Sequence, residues 1–115
     1  MTIEQRSVGT VVVLDLNGKL ISGESSGLLK DKVHSLLFQG KKQLVLNLGG
    51  VGYMDSSGLG ELIATHTTAA RQGGKVKIAN LTQRVSDLMT IAKVLSVFDT
   101  YDSEADALAA FPAQA

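Results

Sequence analysis

The sequence predicts an α/β domain: a mixed, mostly parallel sheet of about five strands with four helices, in the order β-β-α-β-α-β-α-β-α. Three observations carry this. The runs Val11-Val12-Val13-Leu14-Asp15-Leu16 and Leu44-Val45-Leu46-Asn47-Leu48 are too short for helices and too continuously apolar for half-wet strands. Between and after them, apolar residues recur at helical spacing: Leu29, Val33, Leu36 and Leu37, then Leu59, Leu62, Ile63, His66, Thr67 and Ala70. Strands separated by helices imply parallel pairing through right-handed crossovers, with one antiparallel edge from the two opening strands.

In chain order, residues 2–8 read as an edge strand and Gly9-Thr10 as a tight turn. The strand over 11–16 ends where Asn17-Gly18 breaks the pattern; the pair is a hairpin signal, yet no alternating strand follows it. Residues 22–26 form a loop ending in a helix cap, so the first helix runs from Ser25 to Phe38 and stops at Gly40. Residues 41–48 are the central strand. The second helix begins near Ser57 and ends at Gly73-Gly74. Lys75-Val76-Lys77-Ile78-Ala79-Asn80 alternates, as a strand with one wetter face does. Thr82 caps a third helix with its stripe at Val85, Leu88, Met89 and Ala92. A short last strand is expected around Val97 and Phe98. Ser103 caps a final helix carrying Ala105, Leu108 and Phe111, and Pro112 precedes a frayed tail. No internal repeat, linker or low-complexity segment interrupts this order.

The 115 residues make one domain, 1–115, with a core that needs no disulfide or metal staple. Hydrophobic residues are 44% of the chain and charged residues 19%, a globular balance. Lysine plus arginine is 11 and aspartate plus glutamate is 11, so no net field draws nucleic acid or anionic lipid. Aromatics at 4% argue against a base-stacking surface. The lack of cysteine excludes a disulfide framework, a thiolate zinc site and a cysteine nucleophile. Met1-Thr2-Ile3-Glu4-Gln5-Arg6 has no signal-peptide core, and no apolar run approaches a membrane span. The expectation is a cytoplasmic protein with no nucleic-acid partner and no membrane insertion.

Chemistry concentrates in the stretch Tyr53-Met54-Asp55-Ser56-Ser57-Gly58-Leu59-Gly60-Glu61-Leu62, which joins the central strand to the second helix. Backbone N–H groups at a helix start lack intrahelical partners, and Asp55, Ser56 or Ser57 can cap them. Ordinary capping explains the hydroxyls but not Gly58 and Gly60, each costing about 1 kcal/mol against Ala in a helix. The pair predicts close access to that backbone, with Leu59 between them as an exposed apolar contact.

Enzymatic readings fail one by one. Gly58-Leu59-Gly60-Glu61-Leu62-Ile63 begins like a dinucleotide fingerprint, but Ile63 replaces the third glycine and no acidic residue follows some 20 positions on. A Gly-x-Ser-x-Gly elbow is missing, since Met54 and Asp55 stand two before the serines. His66 lies well along the second helix and His34 on another helix, so neither serves Ser56 as a base. Two histidines without an acidic cluster make no metal site, and no Gly-Lys-Ser/Thr marks a P-loop. What remains is a serine at a helix start with no base, metal or cofactor, suited to being acted on. A phosphate there sits against free N–H groups and the positive end of the helix dipole.

Met54-Asp55-Ser56-Ser57-Gly58-Leu59-Gly60, with Val45-Leu46-Asn47-Leu48 before it and an alanine-rich last helix after it, resembles the signature of bacterial anti-sigma factor antagonists, the stand-alone STAS domains. The resemblance covers essentially the whole chain. It implies a STAS-like mixed sheet with helices on one face, and a partner switch rather than an enzyme. In that switch the unphosphorylated antagonist binds an anti-sigma factor that is also a serine kinase, which frees a sigma factor. The kinase then phosphorylates the antagonist with ATP, and a serine phosphatase restores it. The resemblance places the phosphate on Ser56, gives Asp55 a part in orienting or recognising it, and puts Asp55, Ser57, Gly58, Leu59 and Gly60 in the partner-binding surface. Ser57 is expected to act mainly as a helix cap. One departure stands out. Family members often carry Gly-Glu-Leu-Asp after the second strand, an acidic turn that touches the kinase, whereas this chain has Gly18-Lys19-Leu20-Ile21. The alternative, from another class, is a STAS subunit that is never phosphorylated and scaffolds a transporter or signalling complex or senses a nucleotide or lipid. The intact Asp55-Ser56 favours the switch.

Overall fold

The computed structural model describes residues 1–21 and 27–111. The expected loop at 22–26, the expected helix start at Ser25 and the tail from Pro112 lie outside the described residues. Among the described residues the chain forms five strands and four α-helices, in the predicted order. They are β1 (Thr2–Val8), β2 (Val11–Leu20), α1 (Leu28–Phe38), β3 (Gln43–Met54), α2 (Ser56–Arg71), β4 (Lys75–Ala79), α3 (Gln83–Ile91), β5 (Asp99–Tyr101) and α4 (Glu104–Ala109). No helix among them is long and apolar enough to cross a membrane.

The strands lie in the sheet in their sequence order, with β3 at the centre. β1 runs antiparallel to β2, from Val8 opposite Val11 to Thr2 opposite Asn17, and every later pair is parallel. Right-handed crossovers that all step in one direction put α1, α2 and α3 on the same face. There Leu14, Leu16, Leu44, Leu46, Leu48 and Ile78 pack against Leu29, Leu36, Leu62 and Val85, all at most 1% exposed. Intervening residues of the same strands point the other way. Val11, Val13, Val45 and Ala79 build a second, smaller core with Ala107 and Phe111. So α4 covers the opposite face, and the expectation of helices on one face alone is corrected. Central parallel strands carry apolar side chains on both faces, and the far side must also be closed.

Glycine pairs mislead the sequence reading twice. β2 does not stop at Asn17-Gly18: it shifts register there, with Gly18 at φ 113°, and continues to Leu20. β3 likewise runs 12 residues through Gly49-Gly50 to Met54. A Cβ at position 50 would stand 2.0 Å from Asn17 Oδ1, so glycine lets the neighbouring strands pass rather than ending one. β4 has no wet face over its last four residues. Lys77 is only 8% exposed, its ammonium 5.5 and 5.2 Å from the Tyr101 and Phe111 ring centroids and 3.5 Å from the Asp99 carboxylate. The last strand falls at Asp99–Tyr101, after a 3-10 turn over Leu95–Val97, while Phe98 is buried in the main core. On α2 the buried stripe is Gly58, Leu59, Leu62, Thr65 and Ala69, and the expected Thr67 and Ala70 are exposed.

Candidate functional site

The site is the turn where central strand β3 hands over to α2. The Asp55 N–H donates to the Leu20 carbonyl at the end of β2 (3.3 Å), which ties the turn to the neighbouring strand. Asp55 is the helix N-cap: its Oδ1 accepts the Gly58 N–H at 2.8 Å, and its carbonyl accepts the Leu59 N–H at 2.9 Å. Ser57 is therefore not the cap. Ser56 and Ser57 are exposed in the first turn, and their hydroxyls make no hydrogen bond among the described residues. Their own N–H groups are of the kind a helix start leaves without intrahelical partners.

The two glycines part company. A Cβ on Gly58 would lie 1.9 Å from the Leu20 carbonyl oxygen, so the close approach predicted for this backbone is made by the chain's own β2. At Gly60 an added Cβ meets nothing within 4 Å. Position 60 is four residues after Ser56, and a helical side chain leans back toward the preceding turn. Even so, a methyl at position 60 would stand more than 4 Å from the Ser56 side chain, in open space. Leu59 is 6% exposed and belongs to the main core, which corrects its expected role as an exposed contact. Being next to two glycines says nothing about burial; its place on the Leu59, Leu62 stripe does.

Sequence reasoning overlooked Glu61. Its carboxylate, one turn after Ser57, accepts the N–H groups of Gly27 (2.8 Å), Leu29 (3.0 Å) and Lys30 (3.3 Å). It thus caps α1 across the helix pair, where the residue before that helix, Gly27 at φ 81°, has no side chain to do so. The signal was a helix opening on glycine, obscured by Ser25 and Ser26 just upstream. Sequence reasoning also missed Tyr53 and Arg84. With Gly18, Lys19, Gly50 and Gly52 they line an open groove of about 590 Å³ along the last residues of β2 and β3. The Arg84 guanidinium stands 5.7 Å from the Tyr53 ring centroid. Thr82 fixes that start of α3, its hydroxyl donating to the Val51 carbonyl (3.1 Å) and accepting the Val85 N–H (3.4 Å). In Gly18-Lys19-Leu20-Ile21, which is the end of β2 rather than a turn, Lys19 is exposed whereas Leu20 is wholly buried.

Neither histidine joins the site. His34 is exposed on α1, and His66 packs edge-on against Phe98 (centroids 5.4 Å apart, 87°). Ten positions separate His66 from Ser56, roughly 15 Å along α2. Among the described residues, no three His, Asp or Glu side chains converge as metal ligands. The turn offers an unbonded serine, free N–H groups and a carboxylate already committed to the backbone.

A sequential mixed sheet with an exposed serine at the start of its second helix defines a small α/β domain with helices on both faces. The chain matches the STAS domain family over residues 2–107 and belongs to it. It is 36% identical over 83 residues to the anti-sigma-B factor antagonist of Bacillus subtilis, an alignment that covers 69% of this chain and 75% of that protein. A Thermotoga maritima structure described as an anti-sigma factor antagonist superposes with a TM-score of 0.84 at 23% identity, covering 93% of this chain and 92% of that one. The phosphorylated form of the Bacillus cell fate determinant SpoIIAA superposes with a TM-score of 0.70 at 18% identity, covering 94% and 97%. At those identities the two structures speak for the fold alone.

Proposed function

We propose that this chain is an anti-sigma factor antagonist acting in a cytoplasmic partner switch. Unphosphorylated, it binds an anti-sigma factor that is also a serine kinase and so releases a sigma factor. The kinase transfers phosphate from ATP to Ser56, which ends binding, and a serine phosphatase resets the switch. The single observation behind this is the exposed Ser56 hydroxyl, unbonded among the described residues at the start of α2. Asp55 holds the turn in shape by capping, and Gly58 seats the helix against β2. The names of the relatives agree with this reading.

The phosphate acts at the interface rather than on the fold. A negative group at a helix N-terminus gains about 0.3–1 kcal/mol, which offsets its repulsion from Asp55 in water-rich surroundings. Facing a kinase's nucleotide phosphates or carboxylates, the same charge costs several kcal/mol, and each 1.4 kcal/mol is about tenfold in affinity. Ser56→Asp therefore keeps the melting temperature within about 5 °C of wild type and weakens binding to the cognate anti-sigma kinase about a hundredfold or more. Ser56→Ala binds as wild type does and accepts no phosphate, whereas Ser57→Ala is still phosphorylated. Titration of each variant against the kinase, with transfer from labelled ATP followed in parallel, tests this. Equal affinity for both Ser56 variants, or transfer that survives Ser56→Ala, refutes it.

A further inference from the structure

Lys19 and Arg84 are both exposed, and neither forms an ion pair among the described residues. They flank the groove along the last residues of β2 and β3, with the half-exposed Tyr53 ring beside the Arg84 guanidinium. The acids of the adjoining elements, Asp55, Glu61 and Asp87, keep their charge but form no ion pair with either cation; Asp55 and Glu61 hold backbone N–H groups of α2 and α1 instead. The chain has no net charge, so these two unpaired cations are a local feature rather than part of a general basic field. It is continuous with the Ser56 turn. Lys19 is in register with Tyr53 and Leu20 with Met54, and the Leu20 carbonyl holds the Asp55 N–H. The groove has room as well as charge, for a Cβ at Gly52 meets nothing within 4 Å.

We infer that this groove receives an acidic segment of the anti-sigma factor kinase, whose carboxylates face Lys19 and Arg84 while its active site reaches Ser56. The inference rests on the proposed function and names the partner's chemistry at a second patch of the same interface. Arg84 stacked on Tyr53 is pre-positioned to meet a carboxylate, and Lys19 supplies a mobile second charge. Exposed charges of this kind steer encounter, so their imprint falls on the association rate and on its salt dependence.

The test uses the full chain and the serine kinase that phosphorylates Ser56, with association and dissociation measured at 50 and 500 mM NaCl. Lys19→Glu/Arg84→Glu is expected to slow association about tenfold or more at low salt, with the gap closing at high salt as screening sets in. Gly52→Tyr, which fills open space without touching a charge, is expected to speed dissociation at both salt concentrations while leaving the melting temperature unchanged. Wild-type rates for the double variant and for Gly52→Tyr, with Ser56→Asp still binding a hundredfold more weakly, overturn the groove and leave the proposed function standing. If no kinase discriminates Ser56→Asp from wild type, the proposed function itself falls. Two other occupants are separated on the chain alone. Self-association abolished by the double variant means that a second copy fills the groove. Saturable shifts of the Gly50 and Gly52 amides with inorganic phosphate or ADP mean a small anion. Either result overturns the inference.

Discussion

Alanine at the two glycines of the Ser56 turn is predicted to act in opposite directions, although the positions lie two residues apart. At position 58 the new Cβ would sit 1.9 Å from the Leu20 carbonyl oxygen and 2.6 Å from its carbon. Both are backbone atoms at the end of an inner strand, so no side chain can swing away, and the first turn of α2 must move off β2. Forced overpacking of this kind costs about 1–3 kcal/mol or more, against a helix-propensity gain of at most about 1 kcal/mol. The shift also strains the bond from Asp55 N–H to that same carbonyl. At position 60 the Cβ meets nothing within 4 Å, so only the propensity gain of up to about 1 kcal/mol remains. A kilocalorie moves the melting point of a domain this size by about 4 °C or somewhat more. Gly58→Ala should therefore melt several degrees below wild type and Gly60→Ala a few degrees above it. Thermal unfolding followed by circular dichroism, with urea titration as a check, decides. A Gly58→Ala protein as stable as wild type, or a destabilised Gly60→Ala, would refute the argument that the first glycine serves packing and the second stands in open space.

Two further outcomes are expected. Arg6 binds the Asp15 carboxylate (Nε to Oδ2 2.6 Å, Nη2 to Oδ1 3.0 Å) and also Glu104 of α4, fastening that helix to the open face of the sheet. The Arg6 hydrogen bonds hold Asp15 below the usual carboxylate range, against desolvation and with help from Asn47 (2.9 Å). A depressed folded value contributes stability above the unfolded value of about 4 and loses it as pH falls through the folded one. Asp15→Asn should thus cost about 1 kcal/mol at neutral pH, the pair being partly exposed, and pH-dependent urea unfolding should show the gap to wild type closing in acid below about pH 4. Glu61→Ala strips α1 of the acceptor for three N–H groups. It should cost about 1–2 kcal/mol and speed amide exchange at Leu29 and Lys30 ahead of Leu36; unchanged exchange there refutes the capping role.

The sequence by itself determined the order of the elements, the central strand and the place of the serine. These are written in local pattern: the apolar run from Leu44 to Leu48, the helical stripe from Leu29 to Leu37, and the caps Thr82 and Ser103, each of which accepts an N–H three residues on. The tertiary structure alone decided what each part is for. Asn17-Gly18 and Gly49-Gly50 look like stops because glycine weakens any isolated strand, yet side by side they let two strands pass closely and extend. Gly58 and Gly60 are indistinguishable in the sequence, and only the fold brings the Leu20 carbonyl, 38 positions earlier, against one of them. Lys77 reads as a wet residue until α4 brings Phe111 over it, and Glu61 as a surface charge until α1 arrives with an uncapped end. Periodicity reports how a residue faces its own element. Burial and capping across elements depend on neighbours distant in sequence, which only the packed chain supplies.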